Sequence, residues 1–262
     1  MTVPGLPTGA GSGGPSLLYL GNINDVDVFA DAGSPAGRVD ITVRVGAGVL
    51  IGASTTAAPA MTFAGFTSGS TFRLDNQGSI VGAGGDGGDA GAVGDNDKIG
   101  GGGGGGAGIV VGTGGAGHAA APTQAGANGT DKDGGGLGKA PGIDLGSGVP
   151  INLAATDGTV GGTAIDIGAH DITIDNGLGE IFGGGGGGGG GKGHGTVANN
   201  FGGDGGGPGE AGLDGGENPS PGALDFTTSG VGAAAGAAIV GSGTIIWVAG
   251  GTNPNVKGAI PA

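Results

Sequence analysis

The sequence predicts an all-β and irregular fold, in which short stacked strand pairs form a ladder that carries a layered bundle of polyglycine-II helices. Three observations predict it. Glycine supplies 77 of the 262 residues and forms two unbroken runs, Gly100–Gly106 and Gly183–Gly191. Glycine also recurs at every third position in two further stretches. Finally, a short apolar strand pattern is repeated along the chain and precedes glycine-rich stretches.

The three-residue glycine period indicates an extended left-handed helix of the polyproline-II type, which makes no hydrogen bonds within itself. Its backbone N–H and C=O groups therefore need neighbouring segments. Glycine lets those neighbours approach closely because it has no Cβ. The period is seen at Gly82, Gly85, Gly88, Gly91 and Gly94, and again at Gly203, Gly206, Gly209, Gly212 and Gly215.

The first part of the chain divides into an arm and a β-region. Residues 1–16 are rich in Gly, Pro and Ser and are predicted to be a flexible or docking arm. Residues 17–81 are predicted to be a β-rich attachment domain. Within it Ile41, Val43 and Val45 alternate with polar residues, as in a half-buried strand.

An internal repeat organises the remainder. Its unit is a short apolar strand, then a second strand ending in Asp-Asn or a similar pair, then Gly-x-Ile or Gly-x-Val and often a glycine tract. Two copies are clear, at residues 60–82 and 164–183, and we interpret 143–162 and 223–245 as a third and a decayed fourth copy. Repeats of one unit predict stacking, in which each copy covers the next and the Ile and Val positions form a ladder like that of a parallel β-helix.

The domain boundaries follow from these patterns. Residues 82–222 are predicted to be the polyglycine-II domain with loop insertions, and residues 223–262 a C-terminal apolar β-segment. The insertions His118–Lys139 and Lys192–Phe201 bring polar and charged residues between glycine stretches. Since function commonly lies in loops on a rigid scaffold, these insertions are the first candidates for a binding site.

Composition excludes several classes of function. The net charge is −14 with eight basic residues, which argues against a nucleic-acid partner. Cysteine is absent, so there is no disulfide framework and no thiolate metal site. The N-terminus lacks the basic and apolar regions of a secretory signal, and no signal peptide is expected. Only 11% of the residues are charged and the mean hydropathy is +0.16, which favours an ordered chain over a disordered one.

No catalytic or metal-binding pattern is found, and the chain is predicted not to be an enzyme and to need no cofactor. His118, His170 and His194 lack a second ligand at metal-binding spacing and are interpreted as surface or loop residues. The acidic glycine stretches around Asp86 and Asp204 miss the nine-residue register of calcium-binding repeats. A collagen triple helix is the nearest structural rival, but the triplets are few and carry little proline.

The order of elements resembles a known family. Residues Gly162–Gly191 run through Ala-Ile-Asp-Ile, Ile-Thr-Ile-Asp-Asn and Gly-Glu-Ile-Phe to nine glycines, with a looser match over Leu74–Gly88. This order is similar to that of the glycine-rich tail proteins of bacteriophages, including the distal tail-fibre adhesins of T-even-like phages. The resemblance covers roughly residues 60–215.

The resemblance implies a non-enzymatic phage tail-tip or tail-fibre protein that recognises its host through loops on a polyglycine-II scaffold. Its partners would be other tail or fibre proteins, bound through the N-terminal region, and a bacterial surface receptor, either an outer-membrane protein or a polysaccharide. Its location would be the virion tail, after synthesis in the bacterial cytoplasm, and fibre analogy suggests a homotrimer. As receptor-contacting residues we select the polar or aromatic residues of the insertions: His118, Lys132, His194, Asn199, Asn200 and Phe201.

Two alternatives stay open. The chain could be a purely structural tail component that assembles with copies of itself, with the apolar segment around Trp247 as either a self-association surface or ordinary core. A surface-displayed or ice-binding glycine bundle would need flat, regular, threonine-rich faces, and the sequence shows no such array.

Overall fold

The structure is a computed structural model that describes residues 15–88, 91–94, 151–153, 155–189, 192–194, 202–216, 229–251 and 254–261. The predicted arm, apart from its last two residues, lies outside these ranges. In chain order the elements are β1 (Ser16–Tyr19), β2 (Ile23–Asn24), β3 (Val26–Asp27), α1 (Val28–Asp31), β4 (Asp40–Val45), β5 (Leu50–Gly52), β6 (Met61–Thr62), β7 (Thr71–Asn76), β8 (Ser79–Val81), β9 (Gly91–Gly94), β10 (Ile151–Leu153), β11 (Ile165–Asp166), β12 (Ile172–Asp175), β13 (Glu180–Phe182), β14 (Lys192–His194), β15 (Ile239–Val240), β16 (Ile245–Ala249) and β17 (Val256–Lys257).

Three parallel sheets stack the repeats into a ladder. The strand orders are β1-β4-β7-β12-β16, β2-β5-β8-β13-β17 and β3-β6-β11-β15, so every sheet follows chain order. Each turn of the chain therefore adds one strand to each of the three sheets, as in a three-sided parallel β-helix. The all-β prediction and the predicted ladder are confirmed.

The core of the ladder consists of apolar side chains stacked in columns, one from each turn. In the first sheet Ile41 pairs with Phe72, and Phe72 with Ile172. In the other two sheets equivalent columns run through Ile51, Ile80 and Ile181, and through Val26, Met61, Ile165 and Ile239. These side chains are all buried. Burial of such columns is the main stabilising term of the ladder, since each buried aliphatic side chain contributes about 1.5–3 kcal/mol.

The repeat is confirmed for its two clear copies, because Met61 pairs with Ile165 and Ile80 with Ile181. The repeat prediction is wrong for the third and fourth copies, at residues 143–162 and 223–245. The second strand of the third copy, β10, does not enter the ladder, since it pairs antiparallel with β9 in a separate sheet, and the first strand of that copy, residues 143–145, lies outside the described residues. The fourth is shifted by one element: Ile239 pairs with Ile165, the first strand of the unit, and not with its second strand. Residues Ala223–Phe226 lie outside the described residues.

A pair of buried asparagines marks the corner between the first two sheets. The Asn76 Nδ2 donates to Asn176 Oδ1 at 2.7 Å, although the two residues are 100 positions apart in sequence. Asn176 Nδ2 in turn donates to the backbone oxygens of Gly250 and Asn255 at 3.2 and 3.3 Å. The Asp-Asn step of the repeat thus joins three successive turns of the ladder.

Six extended segments form a bundle beside the ladder: residues 82–88, 155–163, 183–189, 202–207, 210–216 and 229–238. Segment 183–189 lies at the centre, and all seven of its glycines are buried. The other five segments surround it.

Backbone hydrogen bonds join the bundle at intervals of three residues. The N–H groups of Gly85 and Gly88 donate to the oxygens of Gly185 and Gly188. Within the central segment, successive residues donate to different neighbours: Gly184 and Gly187 to Gly162 and Thr159, and Gly186 and Gly189 to Glu210 and Leu213. The N–H groups of Gly203 and Gly206, and those of Ala233 and Gly236, donate to the oxygens of central glycines.

Six of the seven glycines in the central segment have no room for a side chain. A Cβ on Gly184 would lie 1.8 Å from the Ala83 oxygen, and one on Gly187 the same distance from the Asp86 oxygen. Equivalent contacts of 1.9–2.0 Å would arise at Gly183, Gly186, Gly188 and Gly189. Peripheral segments need glycine only where they face a neighbour, as at Gly158 and Gly161.

The ladder and the bundle meet at Lys257 of β17. Its backbone oxygen accepts from Gly183 N–H, and its Nζ lies 2.9 Å from Glu210 Oε1 and 5.7 Å from the centre of the Phe182 ring. The predicted boundaries at residues 82 and 223 stay predictions, although strands on both sides of them share the same three sheets.

Candidate functional site

The chain leaves the bundle for its longest connections at one end only. Segments 82–88 and 183–189 directly follow β8 and β13, and segments 155–163 and 229–238 lead into β11 and β15. Segments 202–207 and 210–216 are joined at the ladder end, where Gly209 N–H donates to the Gly183 oxygen. The far end of the bundle, which we name the tip, therefore holds both ends of each connection: 89–154, 190–201 and 217–228.

Three short strands form a sheet at the tip. The order is β10-β9-β14, with β9 and β14 parallel and β10 antiparallel to β9. Strand β9 follows segment 82–88 in the sequence, β14 follows 183–189 and β10 precedes 155–163, so two of the three connections, 89–154 and 190–201, contribute strands to one sheet. This sheet, named the tip sheet, is the part of the candidate site that the structure describes.

The register of the tip sheet assigns residues to its two faces. Lys192 pairs with Gly91, His194 with Val93, and Val93 with Asn152. Because residues paired across neighbouring strands share a face, these five positions lie on one face of the sheet. The alternate positions, on the other face, are Ala92, Gly94, Ile151, Leu153 and Gly193. One face thus combines polar and apolar positions, whereas the other contains only glycine and aliphatic residues.

Four of the eight basic residues of the sequence lie among the described residues of the ladder. In the ladder, Arg44 Nε lies 3.6 Å from Asp75 Oδ2, and Arg73 Nη2 lies 3.6 Å from Asp175 Oδ2. Arg38 Nε donates to the Ser68 backbone oxygen, and Lys257 forms an ion pair with Glu210. The remaining four basic residues of the sequence fall in the tip connections: Lys98, Lys132, Lys139 and Lys192. The cationic groups of the ladder are thus engaged in structural contacts.

The predicted contact residues all belong to the tip connections. The structure places His194 on β14 of the tip sheet. His118, Lys132, Asn199, Asn200 and Phe201 lie outside the described residues, so their selection stays a prediction. The register places Asn152 and Val93 beside His194, and sequence reasoning did not single these positions out because strands of three or four residues show too few alternations to be recognised.

His170, interpreted from the sequence as a surface or loop residue, lies in the loop between β11 and β12 but is buried. Only 8% of it is exposed, and its ring centre lies 5.3 Å from that of Phe72 and 6.3 Å from that of Phe66. It belongs to the aromatic part of the ladder core. Among the described residues no three His, Asp or Glu side chains are grouped in a way that could hold a metal ion.

The shifted pKa values of the ladder have structural causes. Burial, together with the hydrogen bond to Asp31, raises the pKa of the Tyr19 hydroxyl above its usual value. The backbone N–H of Thr244 donates to Asp171 at 2.8 Å and lowers the pKa of that exposed carboxyl. Neither group lies on the tip sheet, and both interactions join neighbouring parts of the ladder.

Comparisons with known proteins give one similar structure. No family model matches the sequence, and neither does any curated protein. The chain is similar to one in the crystal structure of the gp37-gp38 adhesin tip complex of the bacteriophage S16 long tail fiber, with 17% identity over 93% of this chain and 81% of that chain and a TM-score of 0.43. The sequence identity and the TM-score are both low, and this similarity therefore carries no argument about function. None of the described helices is long and apolar enough to span a membrane.

Proposed function

We propose that this chain is a non-enzymatic bacteriophage tail-tip or tail-fibre protein, and that the connections at the tip recognise a receptor on the bacterial surface. The bundle segments would be polyglycine-II helices, as their three-residue hydrogen-bond period suggests. The ladder end, with the N-terminal region, would bind other tail or fibre proteins. The protein would then act in the virion tail. By analogy with tail fibres, it would form a homotrimer.

The observation that carries the proposal is the gathering of three long connections at one end of a rigid scaffold. The bundle has a fully buried centre, and backbone hydrogen bonds join its segments throughout. Such a scaffold keeps the ends of the connections fixed while their sequences can vary. Variable loops on a rigid support are the usual arrangement of a recognition surface.

Competition for adsorption tests the proposal. Purified protein is added to host cells before phage, and the fraction of adsorbed phage is measured. We expect the wild-type chain to block adsorption and a variant with Lys192–Phe201 replaced by a Gly-Ser segment of equal length to lose at least tenfold in potency. A matched control replaces the ladder loop 34–37 by Gly-Ser and should block as the wild type does. If wild-type protein and both variants leave adsorption unchanged, the chain does not recognise the host.

One observation favours the second candidate, a structural component that self-associates. Strand β16 is the last strand of its sheet among the described residues, and its Ile246 and Val248 are 56% and 55% exposed. On the preceding strand β12 the outward residues are Thr173 and Asp175. An apolar outer face on an edge strand suits association with another chain. A concentration-dependent multimer that fails to block adsorption would support this candidate.

A further inference from the structure

We propose that Lys257 is a positioning residue for the tip, because its contacts fix the register of residues 202–216, which we name the glycine hairpin, against the central segment 183–189. In the sequence the hairpin lies between the connections 190–201 and 217–228. Its register therefore sets the distance from the ladder at which the first connection ends and the second begins. The consequence for receptor recognition rests on the proposed function.

The glycine hairpin differs from the other described segments of the bundle in how it is attached. Each of the other four segments directly follows or leads into a ladder strand. Each of those strands contributes to the core a buried isoleucine, which holds its segment at a fixed height: Ile80, Ile165, Ile181 and Ile239. In the hairpin only glycines are buried, and every residue that has a side chain is exposed or half-buried.

The backbone hydrogen bonds of the hairpin do not by themselves define its register. Gly209 N–H donates to the Gly183 oxygen, and Gly206 N–H donates to the Gly186 oxygen. After a shift of three residues toward the tip, Gly209 would meet Gly186 and Gly206 would meet Gly189, because the central run is glycine throughout. Pairings of this kind specify register weakly. One such step is about 9 Å, since the extended helix rises about 3.1 Å per residue.

Lys257 makes the contacts that distinguish this register from the next one. Gly209 has a φ of +68°, and a Cβ there would lie 2.4 Å from Lys257 Cβ. The turn of the hairpin thus rests on the backbone of β17, which blocks movement toward the ladder. Lys257 Nζ lies 2.9 Å from Glu210 Oε1 and 5.7 Å from the centre of the Phe182 ring. This ion pair opposes movement toward the tip.

A weak contact is sufficient for this role. The side chains of Lys257 and Glu210 are 32% and 58% exposed, and such an ion pair adds little to the stability of a whole protein. The glycine bonds that re-form after a shift, however, contribute equally to both registers. Asp214 marks the same register nearer the tip, where its Oδ1 accepts from Gly232 N–H at 2.8 Å. The two registers therefore differ mainly by these side-chain contacts and by the single bond to Gly183.

Double electron–electron resonance between two spin labels measures the register directly. The chain has no cysteine, so labels attach only to introduced ones. They are placed at Leu178→Cys in the ladder and Leu213→Cys in the hairpin, where the native side chains are 83% and 60% exposed. Because segment 183–189 continues β13, these two positions are separated mainly along the axis of the bundle.

The test variant is Lys257→Glu, which places two carboxylates at the contact. The exchanged pair, Lys257→Glu with Glu210→Lys, restores the attraction. Arg44→Glu, at an exposed ladder ion pair in which Arg44 lies 3.6 Å from Asp75, is the matched control. Circular dichroism checks that each variant is folded, and Lys257→Gln, which removes only the charge, takes the place of Lys257→Glu if that variant does not fold.

We expect a single distance in the wild type, the control and the exchanged pair. In Lys257→Glu at least about a third of the molecules should show a second distance, longer by about 9 Å, which is one step of register. An unchanged distance distribution in Lys257→Glu would overturn the inference, as would a shift that the exchanged pair does not reverse.

Adsorption competition tests the consequence for recognition. Lys257→Glu should block phage adsorption with at least fivefold lower potency than the wild type, and the exchanged pair should regain the wild-type potency. Equal potency of the wild type and the shifted variant would show that Lys257 does not position the recognition surface. If the distance shifts but wild-type protein does not block adsorption, the role of Lys257 in setting the register stands and the proposed function fails. If wild-type protein blocks adsorption and the distance does not shift, only this inference fails.

Discussion

Replacing Gly187 by alanine should destabilise the protein by at least about 4 kcal/mol, because the new methyl group would overlap the backbone of segment 82–88 in a fully packed bundle. The added Cβ would lie 1.8 Å from the Asp86 oxygen and 2.4 Å from its carbonyl carbon. Gly187 N–H donates to the Thr159 oxygen, and its own oxygen accepts from Ala233. The segment therefore cannot shift away from Asp86 without stretching bonds to two other neighbours.

Thermal unfolding followed by circular dichroism measures this effect. For a protein of this size the expected loss corresponds to a fall in Tm of about 10 °C or more. The matched control is Gly207→Ala, at a glycine in the bundle where the added methyl group would meet only the Glu210 side chain, at 3.0 Å. That side chain is exposed and can move, so the control should change Tm by less than about 2 °C. Equal Tm values for the two variants would show that the glycines of segment 183–189 are not packed as described.

Replacing Asn176 by alanine should remove about 3–5 kcal/mol of stability, since it deletes a buried amide that joins three turns of the ladder. The side chain has no exposed surface and hydrogen-bonds with Asn76, Gly250 and Asn255. Its loss leaves buried polar groups without partners. The desolvation cost of an unpaired buried group exceeds the net stabilisation that its hydrogen bond contributed.

Urea unfolding of Asn176→Ala is compared with that of Thr173→Ala, which alters the half-buried outer side of the same strand. The control should lie within about 0.5 kcal/mol of the wild type. A midpoint for Asn176→Ala close to that of the control would mean that the asparagine pair does not hold the corner of the sheets.

The parts of the fold that could be predicted from sequence are those where side chains alternate with a clear period. The columns through Phe72 and Ile172, and the Asp-Asn corners at Asn76 and Asn176, were recognisable because the same letters recur in the same order. The last turn was placed in the wrong register because Ala249 and Gly250 occupy its corner, where the two preceding turns have Asp-Asn. Its first strand, β15, also has only two residues, too few for any period to appear.

The bundle was predicted only in part, for a physical reason that the structure makes clear. Segment 229–238 contains no consecutive glycines, and sequence reasoning assigned it to the C-terminal apolar β-segment. Segment 155–163 falls within the predicted polyglycine-II domain, but most of it was interpreted as the end of a third repeat copy. A peripheral segment needs glycine only at positions that touch a neighbour, such as Gly158, whose Cβ would lie 2.1 Å from the Gly187 oxygen. The central segment has neighbours on nearly every side, and six of its seven glycines would place a Cβ within 2.0 Å of a neighbouring backbone oxygen.

The tip sheet shows the limit of the same reasoning. His194 was selected for its polar character within an insertion, and the register then added Asn152 and Val93 beside it. The pairing of β9 with strands about 60 and 100 residues away is set by the geometry of the bundle beneath them. No local sequence pattern in these short strands predicts that pairing.

Hydrogen–deuterium exchange of the nine-glycine run tests the central claim, that the glycines are a packed and hydrogen-bonded core and not a linker. The amides of Gly183, Gly184, Gly186, Gly187 and Gly189 donate to neighbouring segments in the structure. Mass spectrometry of peptides that contain residues 183–191 should therefore show most of these amides protected for hours, with exchange only through opening of the whole bundle. Complete exchange of the run within seconds, at the rate of the urea-unfolded chain, would contradict the account.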